Sequence, residues 1–246
     1  MPRYFLQLSF HGKKFHGWQI QDNAHSVQAE INNALKTLLG KDVETTGCGR
    51  TDTGVHATIF FLHFDADGIK DEKDFIYHLN CLLPFEIAIQ RIIKVDEKAH
   101  ARYDASSRTY RYFIHRYKDP FLNDVSYYFP FPVDVEKMNE ASVMLKDHTD
   151  FSCFSKSRTQ VKTNICKIIA AGWFDKGDQL VFEITADRFL RNMVRAIVGT
   201  LLEVGEGHIS LKDFSEIIEN KKRSGAGASV PGHGLFLTNV SYSYIS

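Results

Sequence analysis

Along residues 1–100 the spacing of apolar side chains switches from a strand period to a helical one and back, twice over. Residues 4–10 alternate as a strand. Val27, Ile31, Leu35, Leu38 and Leu39 then fall on one helical face, with Ser26 placed to cap it and Gly40 to stop it. Two strands follow, over residues 43–48 and 57–64, separated by a glycine-containing turn. A helix near residues 75–83 is stopped by Pro84, and residues 87–95 form another strand. Strand, helix, strand, strand, helix, strand is the split βαβ order of ferredoxin-like folds.

The second half repeats the pattern with longer insertions. A strand is expected at residues 109–117, a helix at 135–145, and strands near 165–174 and 180–185. A strong helix comes next, with Leu190, Met193, Val194, Ile197, Val198, Leu201 and Leu202 in one apolar stripe. Arg188, Arg191 and Arg195 lie beside that stripe at spacings of three and four. A short helix at 211–218 precedes the glycine-rich string RSGAGASVPGHG and a last strand at 235–244. The expected fold is α+β: two ferredoxin-like halves with antiparallel sheets, residues 1–105 and 106–246. No sequence identity joins the halves, so the duplication is one of topology.

A chain of 246 residues can bury one or two real cores, and 43% hydrophobic with 24% charged residues excludes disordered and fibrous classes. No apolar run approaches the roughly 18 residues that span a membrane, and MPRYFLQLSF breaks at Gln7 without a small-residue cleavage site. A protein that stays in the cytoplasm is expected. Cys48, Cys81, Cys153 and Cys166 show no paired spacing for zinc and are too sparse for a disulfide scaffold. His11 and His16 likewise lack metal-ligand spacing, so no metal is expected.

Net charge is zero, but its distribution is uneven. Arg108, Arg111, Arg116 and Lys118 share a stretch without an acid, as do Lys156, Arg158, Lys162 and Lys167, and again Arg188, Arg191 and Arg195. Acids gather instead around residues 65–74 and after Asp134. Either these bases form a face for a polyanion or they are ordinary solvated charges.

The densest chemistry lies in GCGRTDTGVHA, residues 47–57. Its glycines allow a tight or close-approaching backbone, and Asp52 alone would close an Asx-turn. Asp52 is also the only acid between Glu44 and Asp65, with Arg50 two residues away to keep a carboxylate ionised. His56 is expected to support the loop.

GRTDTGVHA resembles the signature of the tRNA pseudouridine synthase A family, and further matches follow in order along nearly the whole chain. YFLQLSFHGKKFHGWQIQ resembles the family's first strand and GWQ turn, and ARYDASSRTYRYFI its segment with a stacking tyrosine. FLRNMVRAIVGTLLEVG and GHGLFLTNVSY fit as well. The resemblance implies Asp52 as catalytic aspartate, Tyr110 as the aromatic packing on the target base, Arg195 as the basic partner of Asp52, and Arg50 as a residue holding the displaced nucleotide. It implies a pseudouridine synthase core with a basic RNA-binding cleft, and a cofactor-free, homodimeric enzyme. The implied substrate is tRNA, isomerised at positions 38, 39 and 40 of the anticodon stem-loop. Thr53 stands where many members have alanine, and SVPGHG departs from the family's alanine-rich loop, which bears on RNA contacts of residues 224–234. Strand alternation puts Tyr110 and Tyr112 on one side, so periodicity does not choose between them, and an arginine such as Arg195 on a helix surface is usually solvated.

Three rival readings bear on Asp52 and its surroundings. Asp52-Thr53-Gly54 spells an aspartic-protease triplet, yet such enzymes need two facing carboxylates and the chain offers no second copy. FLHFDADGI resembles a phosphatase aspartyl motif, but that chemistry needs magnesium and a further acidic pair after a parallel-sheet pattern. Two ferredoxin-like units could also form a non-catalytic RNA-binding module, whose sheets present aromatics to bases.

Overall fold

The computed structural model describes residues 1–156 and 163–245. Arg158 and Lys162, two of the expected basic residues, lie outside the described residues. The chain divides into two compact units: Met1–Ser106 with Leu237–Ser246, and Ser107–Phe236. It is α+β, with mostly antiparallel strand pairing. Among the described residues no helix is long and apolar enough to cross a membrane.

In the first unit β1 (Arg3–Phe10) lies between β3 (His56–Asp65) and β4 (Ile87–Val95), antiparallel to both. Helix α1 (Val27–Leu39) starts where the Ser26 hydroxyl accepts the Ala29 N–H and stops at Gly40, in the left-handed conformation at φ 69°. Helix α2 (Glu72–Leu82) begins a turn earlier than expected, because the Asp71 carboxylate caps both the Lys73 and Asp74 amides. Leu6, Leu8, Ile31, Leu35, Phe60, Leu62 and Leu79 are all fully buried in the core.

The expected strand at 43–48 shrinks to β2 (Thr46–Gly47), which pairs with β3. The Thr45 carbonyl, which a ladder would have used, accepts instead from the Gln28 side chain, and the Thr45 hydroxyl donates to Asn32, so side chains of α1 hold this segment. The strand carrying FLHFD is antiparallel to its neighbour, and Asp65 at its end forms a bidentate pair with Arg3 at 2.8 Å. That arrangement is not the parallel-sheet setting of a phosphatase aspartate. The guanidinium bond holds the Asp65 carboxyl below its usual pKa.

In the second unit β5 (Ser107–His115) pairs antiparallel with β8 (Gln179–Ala186), which pairs antiparallel with β7 (Ile168–Asp175). A short β6 (Tyr127–Tyr128) runs parallel to β5. Helix α3 (Val135–Met144) is capped by Asp134, and Asn139 binds both the N–H and the carbonyl of Trp173 on β7. Helix α4 (Met193–Gly205) is buried along most of its length, and α5 (Leu211–Asn220) opens with a capping box between Ser210 and Asp213. The last strand, β9 (Leu235–Ser241), ends earlier than expected.

Helix α4 also starts later than expected. Its N-cap Asn192 sits in the left-handed region at φ 67°, so Arg188 and Arg191 belong to the connection before the helix and only Arg195 is on it. An apolar stripe counted from Leu190 does not see that break, because a left-handed residue leaves the side-chain spacing in the sequence unchanged.

Candidate active site

Asp52 lies in the connection between β2 and β3, and the segment before α1 moulds that connection. Gly54 takes φ 77°, and the Val55 N–H closes a tight turn on the Asp52 carbonyl at 3.2 Å. Across from this turn lie Gly12 and Gly17. A methyl group on Gly12 would stand 2.0 Å from the Val55 oxygen, and one on Gly17 would stand 2.2 Å from the Thr51 oxygen. Gly17 also has φ +93°, which strains any other residue. The two glycines let main chain approach main chain on either side of the catalytic candidate.

Trp18 extends this contact. Its indole stacks on Phe60 at 4.2 Å and fills the space beside Gly47, whose Cβ position would be 2.6 Å from the ring. Gly17 and Trp18 in turn accept the first amides of α1 through their carbonyls, from Val27 at 3.2 Å and Gln28 at 3.0 Å. The start of α1 is thus joined to the GWQ turn by hydrogen bonds, and the GWQ turn to the Asp52 loop by close main-chain packing. His56 is buried and its Nδ1 accepts the Gly12 N–H at 3.0 Å, which puts the ring proton of a neutral imidazole on Nε2.

Within that mould Asp52 is half-buried. Arg50 is exposed and forms no hydrogen bond or ion pair among the described residues. The Thr51 hydroxyl is buried and has no hydrogen-bond partner among the described residues. A polar atom hidden in that way costs about 1–3 kcal/mol. Nothing in the local sequence singled Thr51 out.

In the second unit β5 carries both tyrosines, and their surroundings differ. Tyr112 is fully buried, donates its hydroxyl to the Pro231 carbonyl at 2.9 Å and packs under Gly234. Burial drives its pKa upward. Tyr110 is only half-buried and meets the edge of Phe189 at 5.2 Å with the ring planes perpendicular. Tyr112 is committed to the core, whereas Tyr110 keeps exposed ring surface, a distinction that period alone does not make.

Arg195 is half-buried on the first turn of α4, and its Nε donates to the Val230 carbonyl at 2.7 Å. Several other bases are paired: Arg111 with Glu183 at 2.6 Å and Arg116 with Asp175 at 2.9 Å. Glu183 comes from the neighbouring strand β8 and Asp175 from the end of β7, so a stretch that looks purely basic in sequence is partly neutralised in the fold. Asp52 and Arg50 therefore belong to the first unit, and Tyr110 and Arg195 to the second.

Comparison with known proteins gives these positions a family. A profile of the tRNA pseudouridine synthase family matches residues 141–243. At full length the chain is similar to the tRNA pseudouridine synthase A of Parabacteroides distasonis, 52% identical over 98% of this chain and 96% of that protein. It is also similar to the protein of that name from Bacteroides fragilis, 51% identical over 98% and 97% of the two chains. The corresponding protein of Bacillus subtilis is 38% identical over 96% and 97%. The chain belongs to the tRNA pseudouridine synthase A family, whose members are isomerases.

Proposed function

We propose that this chain converts uridine to pseudouridine at positions 38, 39 and 40 of the tRNA anticodon stem-loop, with Asp52 as its catalytic carboxylate. The reaction breaks the bond from uracil N1 to ribose, turns the base and rejoins it through C5, whose hydrogen leaves as a proton while N1 takes one up. That sequence calls for a placed carboxylate and a closed pocket, and for no metal or redox cofactor. The observation that carries the reading is the moulding of the Asp52 turn by Gly12 and Gly17, which fixes a half-buried carboxylate by main-chain packing. Asp52 could attack the sugar carbon, add to the base, or take a proton from the sugar.

A base paired in a stem must first be extruded, at a few kcal/mol, and stacking on an aromatic ring offsets that. We assign the stacking to Tyr110, supported by its accessible ring and by the burial of Tyr112. Arg195 is the assigned basic partner of Asp52. Arg50, exposed beside it, is assigned to hold the displaced nucleotide. The tRNA body would lie in a basic cleft, and affinity should fall steeply with salt.

The proposed framework is two ferredoxin-like halves, residues 1–105 with the aspartate loop and 106–246 with the tyrosine and the arginine helix. Chain order supports it: β1-α1-β2-β3-α2-β4 and β5-α3-β7-β8-α4-β9 are both βαββαβ once short insertions are set aside. In the first unit the pairing β4-β1-β3, with β2 on β3, agrees with that topology. Residues from Leu237 onward nevertheless cluster with the first unit. A homodimer in the cytoplasm completes the proposal, and light scattering of the free protein tests the dimer.

Incubation with tRNA tritiated at uracil C5 is the decisive experiment. The intact chain should release tritium, and Asp52→Asn should bind tRNA without releasing it. Binding without release in the intact chain would instead identify a non-catalytic RNA-binding module. Equal loss of binding and release in Asp52→Asn would make Asp52 structural. Mapping pseudouridine on tRNA from cells lacking the gene tests positions 38, 39 and 40.

A further inference from the structure

Residues 226–230 lie along one stripe of α4 as a strap. The Gly227 N–H donates to the Thr200 hydroxyl at 3.0 Å, and that hydroxyl donates on to the Ala196 carbonyl at 2.8 Å. Ala228 presses its carbonyl against Gly199 so closely that a Cβ there would stand 1.8 Å from the oxygen. Ser229 accepts from the Asn192 side chain at 2.6 Å, and Val230 exchanges two bonds with Arg195. In one, the Val230 N–H donates to the Arg195 carbonyl at 3.2 Å, and in the other the Arg195 Nε donates to the Val230 carbonyl at 2.7 Å. Residues 195 and 199 lie four apart on one face of the helix under the strap, and Thr200 and Glu203 flank that face beside Gly227.

A second arginine closes the strap from its other side. One terminal nitrogen of Arg223 donates to the carbonyls of Ala226 and Gly227, at 3.0 and 3.1 Å, and the other donates to the Ser229 hydroxyl at 3.0 Å. Arg223 has no carboxylate partner among the described residues. Its planar fork of donors is spent on the shape of this loop. The left-handed Asn192 immediately before the helix is a further strained element held by the same serine.

We propose that Arg223 and Thr200 are positioning residues for Arg195, acting through the strap 226–230. An arginine side chain has many rotamers, and a bond to Nε fixes the plane in which its terminal nitrogens lie. The Val230 carbonyl makes that bond only if the strap holds Val230 in place, and Thr200, Ser229 and Arg223 hold it. The inference rests on the reading that Arg195 acts at the reacting centre.

The test is steady-state and single-turnover tritium release by Thr200→Val, Thr200→Ser, Arg223→Ala and Arg195→Lys, assayed well below each melting temperature. Misplacing a reacting-site group by an ångström can cost about 100-fold, so Thr200→Val and Arg223→Ala should lower kcat by about 10- to 100-fold with KM for tRNA within about threefold. Thr200→Ser, which keeps the hydroxyl, should restore kcat. Arg195→Lys keeps a charge but lacks the Nε donor; adding Arg223→Ala to it should cost less than about twofold more, the signature of two residues in one pathway. Unchanged kcat in Thr200→Val and Arg223→Ala, beside a slow Arg195→Lys, would overturn the strap and leave the role of Arg195 intact. A fully active Arg195→Lys would overturn both. Losses that multiply in the double variant, or that appear in KM, would show Arg223 acting on RNA by itself. Should Arg223→Ala fail to fold, the contrast between Thr200→Val and Thr200→Ser decides.

Discussion

The loop that carries Asp52 and the strap that braces Arg195 both pass close to other main chain at a glycine, yet they are held by opposite means. Around Asp52 the contacts are main chain on main chain, with Gly12 against Val55 and Gly17 against Thr51. On α4 the hydrogen bonds run largely through side chains, those of Thr200, Asn192, Arg223 and Arg195. Apart from the His56 bond to Gly12, the mould has no bond that one truncated side chain can remove, and it breaks when a side chain is added. A side-chain strap can be loosened one hydrogen bond at a time. The first design suits a group whose position must not vary, and the second suits one whose position can be tuned.

The largest effect should come from adding one carbon to the mould. Gly17→Ala must bear both φ +93° and a Cβ only 2.2 Å from a backbone oxygen, whereas Gly40→Ala bears φ +69° with nothing within 4 Å. The left-handed conformation alone costs about 1–2 kcal/mol, so Gly40→Ala should lose about that much in chemical denaturation. Gly17→Ala should lose at least about 2 kcal/mol more, or yield no folded protein. Equal losses in the two variants would break the comparison, because the close approach would then contribute nothing.

His56 is where a side chain does enter the mould. His56→Ala leaves the Gly12 N–H buried without its acceptor, at a cost of roughly 2 kcal/mol, and His56→Asn should recover part of that through its amide oxygen. On the strap side, Gly199→Ala improves helix propensity by about 1 kcal/mol while its Cβ displaces the Ala228 carbonyl, so net destabilisation should be near 1 kcal/mol. Its tritium release should nevertheless fall more than about tenfold, because the strap is lifted off Arg195. An unaffected rate beside the expected loss of stability would mean the strap is only structural.

Sequence pattern made much of this scaffold legible where the deciding interactions are local. Ser26 and Gly40 bound α1 within the helix's own turns, and β4 spans residues 87–95 as its alternation and the preceding Pro84 indicate. What sequence pattern missed is decided at a distance. The Thr45 carbonyl is diverted from the ladder by Gln28, 17 residues away, and the Thr45 hydroxyl is held by Asn32, 13 residues away. The strap joins positions 27 to 37 residues apart, and its partners are common residues without a local signature. The same holds for Tyr112, whose commitment to the core depends on Pro231, 119 residues on.

Acid offers the mildest way to sharpen the comparison. His63 lies on β3, the strand that leads away from the Asp52 loop, and its Nδ1 accepts the Ala101 N–H at 3.1 Å. Burial, with Arg3 and His100 nearby, lowers its pKa from 6.5 to about 4, against weaker opposing pulls from Asp65 and Asp104. The fold holds His63 neutral. The unfolded chain takes up a proton near pH 6.5 and the folded chain only near 4, so the contribution is complete above 6.5 and is lost as pH falls toward 4. At pH 6 the loss is below about 1 kcal/mol, and the slope cannot exceed ~1.4 kcal/mol per pH unit for one group. Asp65 and Asp104, whose pKa values are lowered by their partners, lose their contributions only under more acidic conditions. Amide exchange followed from pH 7 to pH 4.5 should therefore show protection falling across β3, and His63→Asn should flatten that fall. The strap's bonds to Thr200, Asn192, Ser229 and Arg223 involve no group that titrates in this window, so the Gly227 and Val230 amides should not share the slope. A slope common to both loops would show that strap and mould open together, and the contrast between them would then lie in geometry and not in energetics.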